Sequence, residues 1–126
     1  MGPGYPGPMA RVLTADGTVT LALTRTERIE GFHGDITAPV SSVTAIRASD
    51  DLWSELRGLR APGTGIPGVI CVCTLRGSFG RDFAVVHGKG PGVVVEFGDQ
   101  PFQRWVVSAD DPAAVVAEVS GAAGLA

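Results

Sequence analysis

No apolar run in this chain is longer than five residues, and most runs stop at a turn built from glycine, proline or aspartate. Reversals stand at Asp16-Gly17, His33-Gly34, Gly77 to Gly80, Gly88 to Gly92 and Gly98 to Pro101. Segments this short, separated by turns this frequent, suit antiparallel strands rather than long helices. The 18 glycines and 9 prolines among 126 residues are therefore read mainly as turn chemistry. The glycines follow no three-residue period, which excludes a collagen helix. A hydrophobic content of 44% with a net charge of -3 excludes a disordered chain. The length suits one domain that buries a core without metal or disulfide staples.

Charge narrows the partners. Thirteen acids face ten bases, nine of them Arg, scattered from Arg11 to Arg104 without a run. Such a chain has no field to attract nucleic acid or an anionic membrane surface. Cys71 and Cys73 lie two apart on a strand-like run, too close along the chain for an ordinary disulfide, and read as buried thiols of a reducing compartment. The first residues lack both the basic and the apolar parts of a signal peptide, and no run approaches the roughly 20 residues needed to span a bilayer. A cytoplasmic protein is expected, with a flexible tail at 1–10, one domain at 11–121 and a short tail at 122–126.

Strands are predicted at Arg11 to Thr14, from Thr18 toward Arg28, at Asp35 to Val40 (with Pro39 marking an edge), Val43 to Ala48, Gly68 to Arg76, Asp82 to His87, Val93 to Phe97 and Phe102 to Ser108. Ser49-Asp50-Asp51 caps a short predicted helix toward Leu59, and residues 60–67 read as a loop. Asp111-Pro112 is a helix start, with Asp111 to take orphan amides and Pro112 at the first helical position. Val115, Val116 and Val119 form its apolar stripe, and Gly121 its stop. The count is seven or eight antiparallel strands and one C-terminal helix. A sheet of that size hides its edges by bending into a barrel or sandwich, and the helix can plug one end.

Motifs of chemistry are few. Gly63-Thr64-Gly65-Ile66-Pro67-Gly68 matches G-x-G-x-x-G but precedes a strand, and Pro67 removes an amide, so it lacks the context of a nucleotide loop. His33, His87, Cys71 and Cys73 are poorly spaced for zinc, and no metal or cofactor is expected. Convergence of Cys73, His87 and an acid in one cleft would instead indicate an enzyme. Arg57, Arg60, Arg81, His87 and Lys89 form an anion-binding rim only if their loops meet. Trp105 reads as core, and Trp53, beside an acidic pair, as an exposed contact anchor.

Gly17-Thr18-Val19-Thr20-Leu21, Thr24-Arg25-Thr26-Glu27-Arg28, the strand at Ile36 to Val43, Gly58-Leu59-Arg60-Ala61-Pro62-Gly63-Thr64-Gly65 and the ending Val106-Val107-Ser108 with Asp110-Asp111-Pro112 carry a resemblance. Together they resemble a bacterial pleckstrin-homology-like (PH-like) domain of the small actinobacterial type. The resemblance implies a strongly bent antiparallel barrel of about seven strands capped by the C-terminal helix, and no enzymatic activity. It transfers no lipid-binding residue, because the first hairpin carries Asp16-Gly17 where lipid-binding relatives carry Lys and Arg. The expected function is a non-enzymatic protein-interaction or self-association module. The alternative is a small-anion or lipid-headgroup binder using the Arg/His/Lys rim.

Overall fold

The computed structural model describes residues 10–31, 34–66 and 68–125. Residues 1–9 of the expected tail, together with His33 and Pro67, lie outside them. The hairpin forms as its sequence dictates. Asp16 and Gly17 take φ of 51° and 77°, the pair of positive angles that closes a two-residue turn between twisted strands. It joins β1 (Arg11–Ala15) to β2 (Thr18–Ala22), and β3 (Ile36–Pro39) pairs with the far side of β2. Pro39, which has no amide to donate, does stand on an edge strand.

Between β2 and β3 the chain departs from expectation. The predicted strand toward Arg28 is instead helix α1 (Arg25–Gly31). Thr24 to Glu27 is a capping box: Thr24 Oγ1 accepts from the Glu27 amide at 3.2 Å, and Glu27 Oε1 accepts from the Thr24 amide at 2.8 Å. Two otherwise orphaned donors are satisfied, which outweighs the β propensity of the threonines.

The second sheet has six strands: β4 (Val43–Ser49), β5 (Leu59–Ile66), β6 (Ile70–Gly77), β7 (Gly80–His87), β8 (Gly92–Phe97) and β9 (Arg104–Ser108), in the order β4-β8-β9-β7-β6-β5. The predicted loop at 60–67 is thus mostly an edge strand, whose register shifts between Arg60 and Gly63. An edge accepts Gly and Pro because one row of backbone groups needs no partner strand. The predicted helix before it shrinks to a single 3-10 turn at Leu52–Glu55 capped by Asp51. Among the described residues the strands number nine, in sheets of three and six, against the expected seven or eight. One pairing is parallel: β9 inserts between β7 and β8, antiparallel to β8 and so parallel to β7.

Alternation along these strands sorts the six-stranded sheet into two faces. Val72, Phe83, Val85, Val93, Val95, Trp105 and Val107 look inward, onto Val19, Leu21, Ile36 and Ala38 of the three-stranded sheet. The C-terminal helix α2 (Pro112–Ala123) closes the same core with Val119, fully buried, and with Val115 and Val116. Asp111 caps it by accepting from the Ala114 amide at 3.2 Å, a bond worth about 1 kcal/mol. The helix runs past Gly121 and stops at Gly124, whose φ is 73°. The outer face carries Cys71, Cys73, Leu75, Ala84, Val86, Val94 and Val106 under Leu52, Trp53 and Leu56.

Cys71 and Cys73 share that outer face, and the structure joins them as a disulfide with Cα atoms 5.9 Å apart. Two side chains on one face of a strand at that spacing fall in the range a disulfide spans. The expectation of two free thiols is overturned, and with it the cysteine argument for a reducing compartment. No helix among the described residues is long and apolar enough to cross a membrane.

Candidate functional site

The four residues of the expected rim whose side chains are described, Arg57, Arg81, His87 and Lys89, do not meet. Arg57 is on the outer face, where Nε and Nη2 donate to Asp82 Oδ2 and Oδ1 at 2.6 and 3.0 Å and the guanidinium lies 3.8 Å from the centre of the Phe79 ring. Asp82 is fully buried and also accepts from Arg104 Nε at 3.3 Å. Arg104 Nη2 donates onward to the Glu55 carbonyl, while Arg47 grips the Glu55 carboxylate through two bonds of 2.7 Å. The chain Arg57–Asp82–Arg104–Glu55–Arg47 fastens the 52–57 segment onto the sheet. Arg47, with Ser49 and Arg104 beside it, outweighs burial and holds the Glu55 carboxyl down at about 2.

Trp53 belongs to the same cover. It is half-buried, its Nε1 donates to the Gly88 carbonyl at 2.7 Å, and its ring packs on the outer cluster, so it is not the exposed anchor expected of it. Gly58 lets the cover return to the sheet: its φ is 80°, and a Cβ there would strike the Arg76 carbonyl.

His87 is also engaged. It lies on the inner face at the far end of β7, where Nε2 sits 2.6 Å from Glu27 Oε2. Glu27 is buried to 1% exposure and accepts further from the Ala10 amide at 3.0 Å and the Thr24 amide. Burial pushes its carboxyl up, but the bonds from His87, Thr24 and Ala10 together hold it below the usual range. This pair pins α1 and the start of β1 to β7. Cys73 faces away from it, on the other side of the sheet, so the enzyme-like convergence does not form. Lys89 is exposed in the turn after β7, and the Arg60 side chain lies outside the described part.

Arg81 opens onto a cavity. Six residues before His87, it stands roughly 20 Å from that end of the strand at about 3.3 Å per residue. The cavity has a volume of about 280 Å³ and lies between β3 and the inner face of the larger sheet. Its floor is apolar: Phe97, Phe102, Trp105, Ile36 and Ala38, each no more than 7% exposed. Phe97 and Trp105 meet at a tilt of 54° with ring centres 4.6 Å apart, and Phe102 meets Phe83 edge-on at 5.6 Å.

Polar groups border this floor: Asp35, Thr37, Gln100 and the half-buried Arg81, whose guanidinium lies over the Phe102 ring at 4.9 Å. Asp35 is already committed, because Oδ1 accepts from Arg28 Nη2 at 3.0 Å and from the Leu23 amide at 2.8 Å. Among the described residues no carboxylate pairs with Arg81.

Local chain geometry places the wall. Asp99 takes φ 56°, a left-handed angle that Asp tolerates, and turns the chain so that Gln100, Pro101 and Phe102 reach the cavity. The loop is tied at its base by the Phe97 amide to the Gln103 carbonyl and the Gln103 amide to the Arg81 carbonyl, at 2.9 and 2.7 Å. Sequence reasoning found Arg81 but missed the aromatic floor. Its one signal was Phe97 and Phe102 flanking a Gly-Asp-Gln-Pro turn. No group of three or more His, Cys, Asp or Glu among the described residues is arranged to hold a metal. No family model matches the chain, and no solved structure matches it.

Proposed function

We propose that the chain is a non-catalytic binding module whose recognition site is the cavity between β3 and the β8–β9 loop. The observation that carries this reading is the set-up of that cavity: an aromatic floor, with an arginine at its rim that no described carboxylate neutralises. Concave, mostly apolar sites with a few placed polar groups are the common form of ligand pockets. The polar groups here are of the kind that hold and orient a ligand. The resemblance of the sequence motifs to PH-like domains agrees with binding rather than catalysis.

The test is a titration with a compact neutral aromatic, phenylacetamide, followed through the amide NMR signals of Ile36, Phe97 and Phe102. Saturable shifts at those residues, lost in Ala38→Phe, support the reading. Signals that stay unmoved at millimolar probe contradict it.

Self-association is a second reading, favoured by the open β5 edge. Leu59, Ile66 and Val69 at its two ends are 79%, 54% and 58% exposed. Light scattering across a concentration series tests it, and a constant monomer mass would remove it.

A further inference from the structure

We infer that the cavity selects small organic monocarboxylates with a compact aromatic or branched apolar body, and that Arg81 holds the carboxylate. This rests on the cavity being the binding site, and adds the chemical class of what it binds. Three features converge on that class.

The first is size. A cavity of about 280 Å³ has the volume of roughly nine waters at about 30 Å³ each. That accommodates a single ring or branched chain with a short polar head.

The second is the wall. Phe97, Phe102 and Trp105 line the cavity together with Ile36 and Ala38, an apolar floor. An apolar body gains from leaving water here, whereas a small inorganic anion fills little of the space.

The third is the charge at the rim. The Arg81 guanidinium lies over the Phe102 ring, 4.9 Å from its centre, and pairs with no described carboxylate, so its N–H groups can turn to a ligand. That planar fork matches the two oxygens of a carboxylate. One guanidinium balances one negative charge. The other charged residue of the lining, Asp35, is balanced by Arg28 at 3.0 Å. The site therefore carries one positive charge, with Thr37 and Gln100 beside it as neutral hydrogen-bonding groups.

The experiment compares phenylacetate with its neutral isostere phenylacetamide and with acetate, by calorimetry and amide NMR shifts, on the wild-type chain, Arg81→Gln and Ala38→Phe. Phenylacetate is expected to bind wild type more tightly than the amide, and Arg81→Gln to weaken it roughly tenfold to a hundredfold, the scale of a charge-assisted bond. The amide is expected to bind both proteins alike, acetate to bind neither measurably, and Ala38→Phe to abolish binding of both aromatic probes. Equal binding of acid and amide, unchanged by Arg81→Gln, would overturn the carboxylate inference while leaving the cavity a binding site. Absence of binding by both aromatic probes would overturn the cavity reading and the inference with it. Tight binding of acetate alone would overturn the role of the apolar floor. Because Arg81 is half-buried at a rim, the Arg81→Gln protein is expected to fold, which its amide spectrum checks in the same titration.

Discussion

Two arginines flank β7 on opposite faces, each with its guanidinium over a phenylalanine ring. Arg57 lies 3.8 Å from the Phe79 centroid and Arg81 4.9 Å from that of Phe102. The difference is in what each donates to. Arg57 is spent on the fully buried Asp82 and, through it, belongs to a chain of five charged residues that closes the outer face. Arg81 meets an aromatic hollow and no described carboxylate. An arginine with a buried acid under it is part of the scaffold, and an arginine with a cavity under it is available to a ligand. Both were candidates for one rim, but Arg57 pairs with Asp82 on one face of β7 while Arg81, one residue earlier, faces the other.

Removing the buried acid should break that contrast most severely. Asp82→Ala leaves Arg57 and Arg104 without their shared carboxylate and should cost about 3 kcal/mol in urea unfolding, the low end for a broken buried pair because Arg57 reaches solvent. A loss below about 0.5 kcal/mol would mean the network adds nothing to the outer face.

A smaller effect is expected from acid. Glu55 binds its proton less readily folded, near 2, than at its ordinary 4.5. Its contribution is therefore complete above about pH 4.5 and fades as pH falls toward 2. Glu27, also lowered, acts in the same direction. The stability gap between wild type and Arg47→Gln should be full at pH 6 and close as the pH approaches 2. A gap that widens in acid would contradict the pairing.

Next comes Arg57→Gln, expected to cost about 1.5 kcal/mol because Arg104 still reaches Asp82. The smallest effect belongs to Arg81→Gln, whose unfolding free energy should lie within about 0.5 kcal/mol of wild type. The ratio of these two losses sharpens the comparison: equal losses would place both arginines in the scaffold.

Much of the architecture was legible because it is local. Asp16-Gly17 can close only a tight hairpin, and Asp111-Pro112 caps only a helix, so β1, β2 and α2 follow from neighbouring residues. The capping box Thr24 to Glu27 was equally local, but alternating Val19, Leu21 and Leu23 just before it carried the strand reading too far. The insertion of β9 beside β7 was not legible, since strand order depends on contacts across the whole sheet.

The site was half legible. Arg81 stood among the candidates, but no local pattern says that Asp82 faces Arg57 from 25 residues away, or that Ile36 and Ala38 floor a cavity with Trp105. One signal was available for the scaffold: Asp82 directly precedes the apolar run Phe83 to Val86, and a charge buried there needs a partner.

The most direct measurement follows the side-chain Nε–Hε NMR signals of Arg57 and Arg81 together during a phenylacetate titration. The account predicts a saturable shift of the Arg81 signal with the Arg57 signal unmoved, because its Nε–H already donates to Asp82 at 2.6 Å. An unmoved Arg81 signal, or equal movement of the two, would contradict it.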